Sequence, residues 1–99
     1  MLTKADILAH LKAVEPEYRV RFGVTKLGLF GSFANGSATA SSDVDVLIEF
    51  ESGTPALREK KSVIRQDLEQ QFGRPVDLCR ERFIKPFVRD LIFKEAVYV

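Results

Sequence analysis

The chain has 99 residues, 45% of them hydrophobic and 29% charged, which fits one small globular domain. A formal net charge of +1 gives no field strong enough to indicate nucleic-acid binding or attraction to an anionic membrane, and neither is expected. No apolar run reaches the ~18 residues of a membrane span. The N-terminus lacks the layout of a signal peptide, and Cys79 is the only cysteine, so a single cytoplasmic domain covering residues 1–99 is predicted.

The first third of the chain predicts one helix and then an extended segment. Apolar residues recur at helical spacing over roughly residues 4–15 (Ile7, Leu8, Leu11 and Val14). Pro16 is expected to end this helix, because proline lacks the N–H that a helix interior needs. In residues 17–25, aromatic and apolar residues alternate with arginines, which indicates a short strand or an extended approach to a sheet. The sole histidine, His10, is expected on a solvated helix surface.

The remaining patterns predict alternating strands and helices. In chain order they are a strand at 26–30, a short helix from Ser32, a strand at 44–50, a helix at 56–72, a strand at 76–79, a helix starting near Pro86 and a final strand at 96–99. This order predicts an α/β (α+β) fold, with a small mixed β-sheet and helices packed on one face. The opposite face would then be free for a substrate or a partner.

Three aspartates stand inside apolar strands, where aspartate is disfavoured. Asp43 and Asp45 flank one valine, so their side chains project from the same face of a strand. Asp77 lies in the next predicted strand. Oxygen-only ligands of this kind suit Mg²⁺ or Mn²⁺, and two such ions can clamp an in-line phosphoryl displacement. The alternatives are a plain turn with Asp45 facing solvent, and Asp77 as a strand-end residue paired with Arg74 or Arg80.

Gly31 and Ser32 follow the strand at 26–30 directly. Glycine lets a phosphate approach the backbone, and the N–H groups and hydroxyl that follow can bind its oxygens. Alone, this dipeptide is equally typical of a tight turn. Ten residues (33–42) separate it from Asp43, so a phosphate cradle and a carboxylate pair would flank one loop.

The pattern G-S-x10-D-x-D, from Gly31 to Asp45, resembles the signature of the DNA polymerase β-like nucleotidyltransferase superfamily. More narrowly, G-S-F-A-N-G-S-A-T-A-S-S-D-V-D-V-L-I-E-F, a later V-D-L and the closing E-A-V-Y-V resemble the minimal nucleotidyltransferases (MNT proteins). Those small prokaryotic proteins often pair with a HEPN-domain partner as a toxin–antitoxin system. The resemblance covers nearly the whole chain.

The resemblance implies a nucleotidyltransferase fold and a role for each of these residues. Asp43 and Asp45 match the metal-binding pair, and Asp77 matches the third carboxylate, which helps hold a metal and activates the attacking hydroxyl. Gly31 and Ser32 match the residues that grip the triphosphate. The implied reaction transfers AMP from ATP, with two Mg²⁺ ions (or Mn²⁺), to a tyrosine of a HEPN ribonuclease toxin. This modification would silence the toxin.

One departure and two alternative functions stay open. The family usually reads G-S-x-A-R-G, and this chain has Asn35 at the arginine position. A non-catalytic antitoxin that neutralises by contact is one alternative, and a nucleotidyltransferase acting on a small molecule is the other. Phe83, Phe87 and Phe93 are candidates for a partner interface, although we expect at least two of them to pack in the core.

Overall fold

The computed structural model describes residues 1–99 in full. Its elements are α1 (Lys4–Phe22), β1 (Val24–Phe30), α2 (Ser32–Asn35), β2 (Val44–Phe50), α3 (Leu57–Phe72), β3 (Val76–Arg80), a 3₁₀ turn (Glu81–Phe83), α4 (Pro86–Glu95) and β4 (Val97–Tyr98). Each strand and helix predicted from residue 26 onward is present, and only the 3₁₀ turn was not predicted. No helix has the length and apolar character needed to cross a membrane.

The four strands form one mixed sheet in the order β3-β2-β1-β4. β1 pairs antiparallel with both β2 and β4, while β2 and β3 run parallel. Parallel neighbours need a crossover connection, and α3 supplies it between β2 and β3. The predicted mixed α/β sheet is therefore confirmed.

The prediction that Pro16 ends the first helix is wrong. α1 continues through Pro16 to Phe22 and ends at Gly23, which takes the left-handed conformation at φ 76°. Residues 17–22 are therefore helical and not extended. The reason is tertiary: Tyr18 and Phe22, four residues apart, are buried in the core, while Val20 is 88% exposed. Burial of two aromatic side chains outweighs the one backbone hydrogen bond that proline removes.

One core lies between the sheet and the two long helices. The residues that alternate toward it from the central strand are Val44, Val46, Ile48 and Phe50, and α1 and α3 meet them with Ile7, Leu11, Tyr18, Phe22, Ile64, Leu68 and Phe72. These two helices therefore pack on one face, as predicted. On the other face, Val88 and Ile92 of α4 line a cavity with Phe30, so α4 covers part of the face that was expected to be free.

His10 is not on a solvated helix surface, contrary to the prediction. Its ring packs edge-on against Phe72 of α3, with 5.4 Å between the ring centroids. Its Nε2 atom is buried and has no hydrogen-bond partner. His10 thus belongs to the α1–α3 contact, which lies across the sheet from the face that bears Asp45.

Candidate active site

Asp45 and Asp77 occupy paired positions on neighbouring parallel strands. In the β2–β3 register, Asp45 stands opposite Asp77, just as Val44 stands opposite Val76. Val44 and Val46 point into the core, so the alternation of a strand places Asp45 on the other face. Asp43 directly precedes β2 and is exposed. The structure therefore brings the three predicted carboxylates to one end of the face opposite the core.

Burial and neighbouring negative charges both act on the Asp45 carboxyl. Burial raises the pKa of the Asp45 carboxyl above its usual value, and the negative charges of Asp77 and Asp43 raise it further. Asp45 is half-buried and so does not simply face solvent, and Asp77 forms no ion pair with Arg74 or Arg80. Arg80 instead pairs with Glu49 across 2.7 Å. No arginine neutralises the carboxylates, so they are left to attract a cation.

Gly31 packs directly against Asp45. Phe30 pairs with Asp45 across the β1–β2 ladder, and Gly31 follows with φ 74° and ψ −153°, a conformation that is essentially restricted to glycine. A Cβ atom on Gly31 would lie 2.1 Å from Asp45 Oδ2 and 2.8 Å from its Cγ. The absence of a side chain at Gly31 is therefore what lets the backbone and the carboxylate approach each other.

α2 begins at Ser32, immediately after this contact. The N–H groups of Ser32 and Phe33 have no acceptor within the chain, as expected for the first residues of a helix. Ser32 also lines a cavity of about 180 Å³ together with Lys4 and Arg74. The predicted cradle thus offers unpaired backbone donors beside a carboxylate. Arg74 had no sequence signal that would have linked it to this place.

A second cavity of about 380 Å³ adjoins Asp77. Its walls are mainly apolar, and two lysines also line it; among the lining residues are Phe30, Phe83, Val88, Ile92, Lys61 and Lys85. Burial and then the charge of Asp77 raise the pKa of the Cys79 thiol to about 11, so this cysteine is a neutral wall residue at physiological pH. The cavity was not predicted, because it depends on how α4 returns over the sheet.

The chemistry of the three carboxylates fits a hard divalent cation. Asp43, Asp45 and Asp77 offer only carboxylate oxygens, which Mg²⁺ and Mn²⁺ prefer, and the charges of Asp77 and Asp43 add to burial in raising the pKa of Asp45. As the side chains are placed, no three His, Cys, Asp or Glu residues stand close enough together to hold an ion. The fit therefore rests on the donor chemistry and the shared face.

The aromatic residues of the C-terminal segment are more exposed than predicted. Phe83 and Phe87 are 72% and 82% exposed, and only Phe93 is half-buried. The expectation that at least two of these three pack in the core is wrong. Phe83 also lines the cavity beside Asp77, so the exposed aromatic surface reaches that cavity.

Sequence comparisons give a consistent set of relatives. Residues 10–99 match the nucleotidyltransferase domain family. The chain is similar to protein adenylyltransferase MntA of Thermococcus cleftensis, with 39% identity over 99 residues, covering all of this chain and 98% of that protein. A relative from Methanocaldococcus jannaschii, assigned as a protein adenylyltransferase, is 35% identical over 98 residues, or 97% of this chain and 93% of that protein.

Structural comparisons agree with the sequence relatives. A solved structure assigned as a minimal nucleotidyltransferase has a TM-score of 0.76 and 31% identity, and the match covers 97% of this chain and 95% of that one. A toxin–antitoxin structure with AMP-PNP has a TM-score of 0.65 over 98% of this chain and 72% of that chain. At 18% identity, this second likeness concerns the fold alone.

Proposed function

The chain belongs to the nucleotidyltransferase family, and on that premise we propose that it is a protein adenylyltransferase that acts as an antitoxin. It would transfer AMP from ATP to a tyrosine hydroxyl of a HEPN ribonuclease toxin and release pyrophosphate. The observation that carries this proposal is the contact of Gly31 with Asp45, beside Asp77 on the adjacent strand. It joins a phosphate-binding turn to a carboxylate cluster.

The site residues divide into two groups in this proposal. The free N–H groups at the start of α2 and the Ser32 hydroxyl bind the triphosphate oxygens, and Gly31 lets them approach. Asp43 and Asp45 would hold the metal, and Asp77 would contribute a third oxygen ligand. Asp77 also accepts the proton of the attacking hydroxyl, since it is exposed and borders the cavity under α4.

Bound Mg²⁺ would supply the neutralisation of charge that develops on the phosphoryl oxygens and the pyrophosphate. The chain itself fixes the positions of the groups that would bind the substrate. β2 and β3 fix Asp45 and Asp77 in register, and the β1–β2 ladder fixes Gly31 next to Asp45. Such transfer needs an aligned hydroxyl and no covalent protein intermediate, so a domain of this size is sufficient for it.

The toxin partner is supported from two directions. MntA of T. cleftensis, which matches the whole chain in sequence, is by name a protein adenylyltransferase. The toxin–antitoxin structures share the fold of the present chain. The chain also exposes Phe83, which lines the Asp77 cavity, and Phe87 at the start of α4, and a protein acceptor would approach there. The HEPN identity of the toxin and its tyrosine acceptor come from the family resemblance.

The test is transfer of label from α-³²P-ATP with Mg²⁺ to the protein encoded by the adjoining gene. We expect the partner to be labelled by the wild type and not by Asp43→Asn with Asp45→Asn. Glu59→Gln, at an exposed α3 position without ion-pair or hydrogen-bond partners, is the matched control and should behave as wild type. If ATP binds but no label reaches the partner, protein modification is the wrong activity.

A non-catalytic antitoxin is the second candidate. The observation that favours it is that no three metal-ligating side chains stand close enough to hold an ion. It predicts that the Asp43→Asn, Asp45→Asn double variant still neutralises the toxin in cells. A double variant that binds the toxin but no longer neutralises it would exclude this candidate.

A further inference from the structure

The segment 36–43 connects the two halves of the site. It begins after Asn35, the last residue of α2, and brings Asp43 to the start of β2. Asp45 is held by strand pairing on both sides, but Asp43 precedes the strand and is exposed. The position of Asp43 relative to Ser32 therefore depends on what holds this segment in place.

One side chain from elsewhere in the chain hydrogen-bonds the segment. Arg74 Nη1 donates to the carbonyl oxygens of Thr39, Ala40 and Ser42, at 3.2, 3.0 and 3.0 Å. The other side-chain hydrogen bonds of the segment come from within residues 35–42. Ser42 is adjacent to Asp43, so the arginine acts one peptide unit away from the carboxylate.

The same guanidinium also contacts the other half of the site. Its Cζ atom lies 5.2 Å from the ring centroid of Phe33, the residue after Ser32. Pro75, which follows Arg74 in the chain, accepts a hydrogen bond through its carbonyl oxygen from Val44 N–H at 3.0 Å. The turn that carries Arg74 thus reaches both Phe33 and the start of β2, on either side of the segment.

Arg74 has no carboxylate partner. None of the five ion pairs in the structure includes it, so its charge is met by carbonyl dipoles and by an aromatic face. Charge-assisted hydrogen bonds are stronger than neutral ones, and the two N–H groups of Arg74 Nη1, shared among three carbonyl oxygens, hold the backbone that bears those carbonyls. A residue with only a surface role would not gather three acceptors from one loop.

We propose that Arg74 is a positioning residue: it clamps segment 36–43 and thereby sets Asp43 at a fixed place relative to Ser32. Its bearing on catalysis rests on the proposed function, whereas the clamp itself does not. The clamp predicts that loss of Arg74 loosens the segment and weakens metal binding, while a saturating metal concentration restores most of the rate.

The test compares Arg74→Gln, Arg74→Lys and the control Arg65→Gln, whose arginine is exposed on α3 without an ion pair or hydrogen bond. The first readout is hydrogen exchange of the Thr39 and Ser42 amides without metal, both of which are bonded inside the segment. The second is Mn²⁺ binding followed by electron paramagnetic resonance. The third is the Mg²⁺ dependence of AMP transfer.

We expect Arg74→Gln to speed exchange at both amides by about tenfold or more, as loss of charge-assisted hydrogen bonds implies. The Mn²⁺ dissociation constant and the half-saturating Mg²⁺ concentration should rise roughly tenfold, at the low end for partners that orient metal ligands. Arg74→Lys keeps the charge and should fall between wild type and Arg74→Gln. Arg65→Gln should change nothing.

Unchanged exchange and unchanged Mn²⁺ binding in Arg74→Gln would overturn the proposal. Equal losses in Arg74→Lys and Arg74→Gln, with no recovery at high Mg²⁺, would also overturn it, because they indicate a general structural defect. If Arg74→Gln fails to fold, exchange and Mn²⁺ binding in Arg74→Lys decide. If the wild type transfers no AMP, the proposed function fails, yet exchange and Mn²⁺ binding still decide the role of Arg74.

Discussion

Replacement of Gly31 by alanine is the sharpest single test of the site. The new Cβ would lie 2.1 Å from Asp45 Oδ2, 2.8 Å from its Cγ and 3.1 Å from its Cβ. The first two atoms can rotate away, but the Cβ of Asp45 is fixed by the β2 backbone. The alanine must therefore displace Asp45 or the start of α2.

The magnitude follows from two separate costs. Backbone at φ 74° and ψ −153° is essentially closed to alanine, which costs about 1–3 kcal/mol. Overpacking against Asp45 adds about 1–3 kcal/mol. We expect a total loss of roughly 2–6 kcal/mol in the free energy of unfolding, measured by urea denaturation. AMP transfer should fall by about 100-fold or more, because a displacement near 1 Å at a reacting group has that effect.

Gly36→Ala is the matched control for this variant. Gly36 also has a positive φ, of 87°, but nothing lies within 4 Å of an added Cβ. It should lose only about 1–2 kcal/mol, the ordinary cost of a left-handed residue, and retain transfer activity. The reasoning is refuted if Gly31→Ala is no less stable than Gly36→Ala and transfers AMP at the wild-type rate.

Three further predictions concern helix α1, the partly buried Glu49–Arg80 ion pair and the surface proposed to meet the partner. Pro16→Ala should raise the free energy of unfolding by about 1–3 kcal/mol, because it restores a helix-interior N–H; a loss of stability in urea would contradict a continuous α1. Burial alone would raise the pKa of Glu49, but hydrogen bonds from Phe50 N–H, the Arg80 side chain and Arg82 N–H outweigh burial and lower the pKa below 4.5. A carboxyl whose pKa is lowered by folding stabilises the protein above pH 4.5, and this contribution disappears as the pH falls through the pKa of the folded state. Glu49→Gln should therefore lower the free energy of unfolding by about 1–2 kcal/mol at pH 7. In acid, the free energies of unfolding of the variant and the wild type should converge. Phe87→Ser should leave folding intact, since the ring is 82% exposed, and should weaken the toxin complex about tenfold in calorimetry. Val20→Ser, 88% exposed on α1, is its control, and equal binding by both variants would show that the partner docks elsewhere.

Local signals were enough to predict most of the fold. Glycines in the left-handed conformation, Gly23 and Gly73, end α1 and α3 and are local signals of this kind. The expectation that proline ends a helix failed at Pro16, because burial of the Tyr18 and Phe22 rings outweighs the local preference of proline. The spacing of four between Tyr18 and Phe22 was the available signal, and the alternation with arginines concealed it.

The candidate site was likewise predictable from the sequence only in part. Strand alternation is a property of the local chain, so the shared face of Asp43 and Asp45 could be predicted from their spacing. The pairing of Asp45 with Asp77 depends on the register of β2 and β3, which spacing alone does not give. The contact of Arg74 with Ser42 joins residues 32 apart in the chain and depends on how the turn after α3 meets the loop before β2. No periodicity reports such a contact. The cavity under α4 likewise depends on the angle at which α4 crosses the sheet.

Asn35, where the family pattern has arginine, takes a structural role in this chain. Its Oδ1 accepts hydrogen bonds from Ser37 N–H at 3.0 Å and from Ser37 Oγ at 2.6 Å, and its Nδ2 donates to Glu95 at 3.4 Å. The side chain therefore builds the turn after α2 and offers no positive charge. Arg74 lies on the same cavity as Ser32 and brings a guanidinium there from the other side. The Gly31–Ser32 turn consequently keeps a neighbouring cation without an arginine at position 35, and the departure from the family pattern is compatible with an active enzyme.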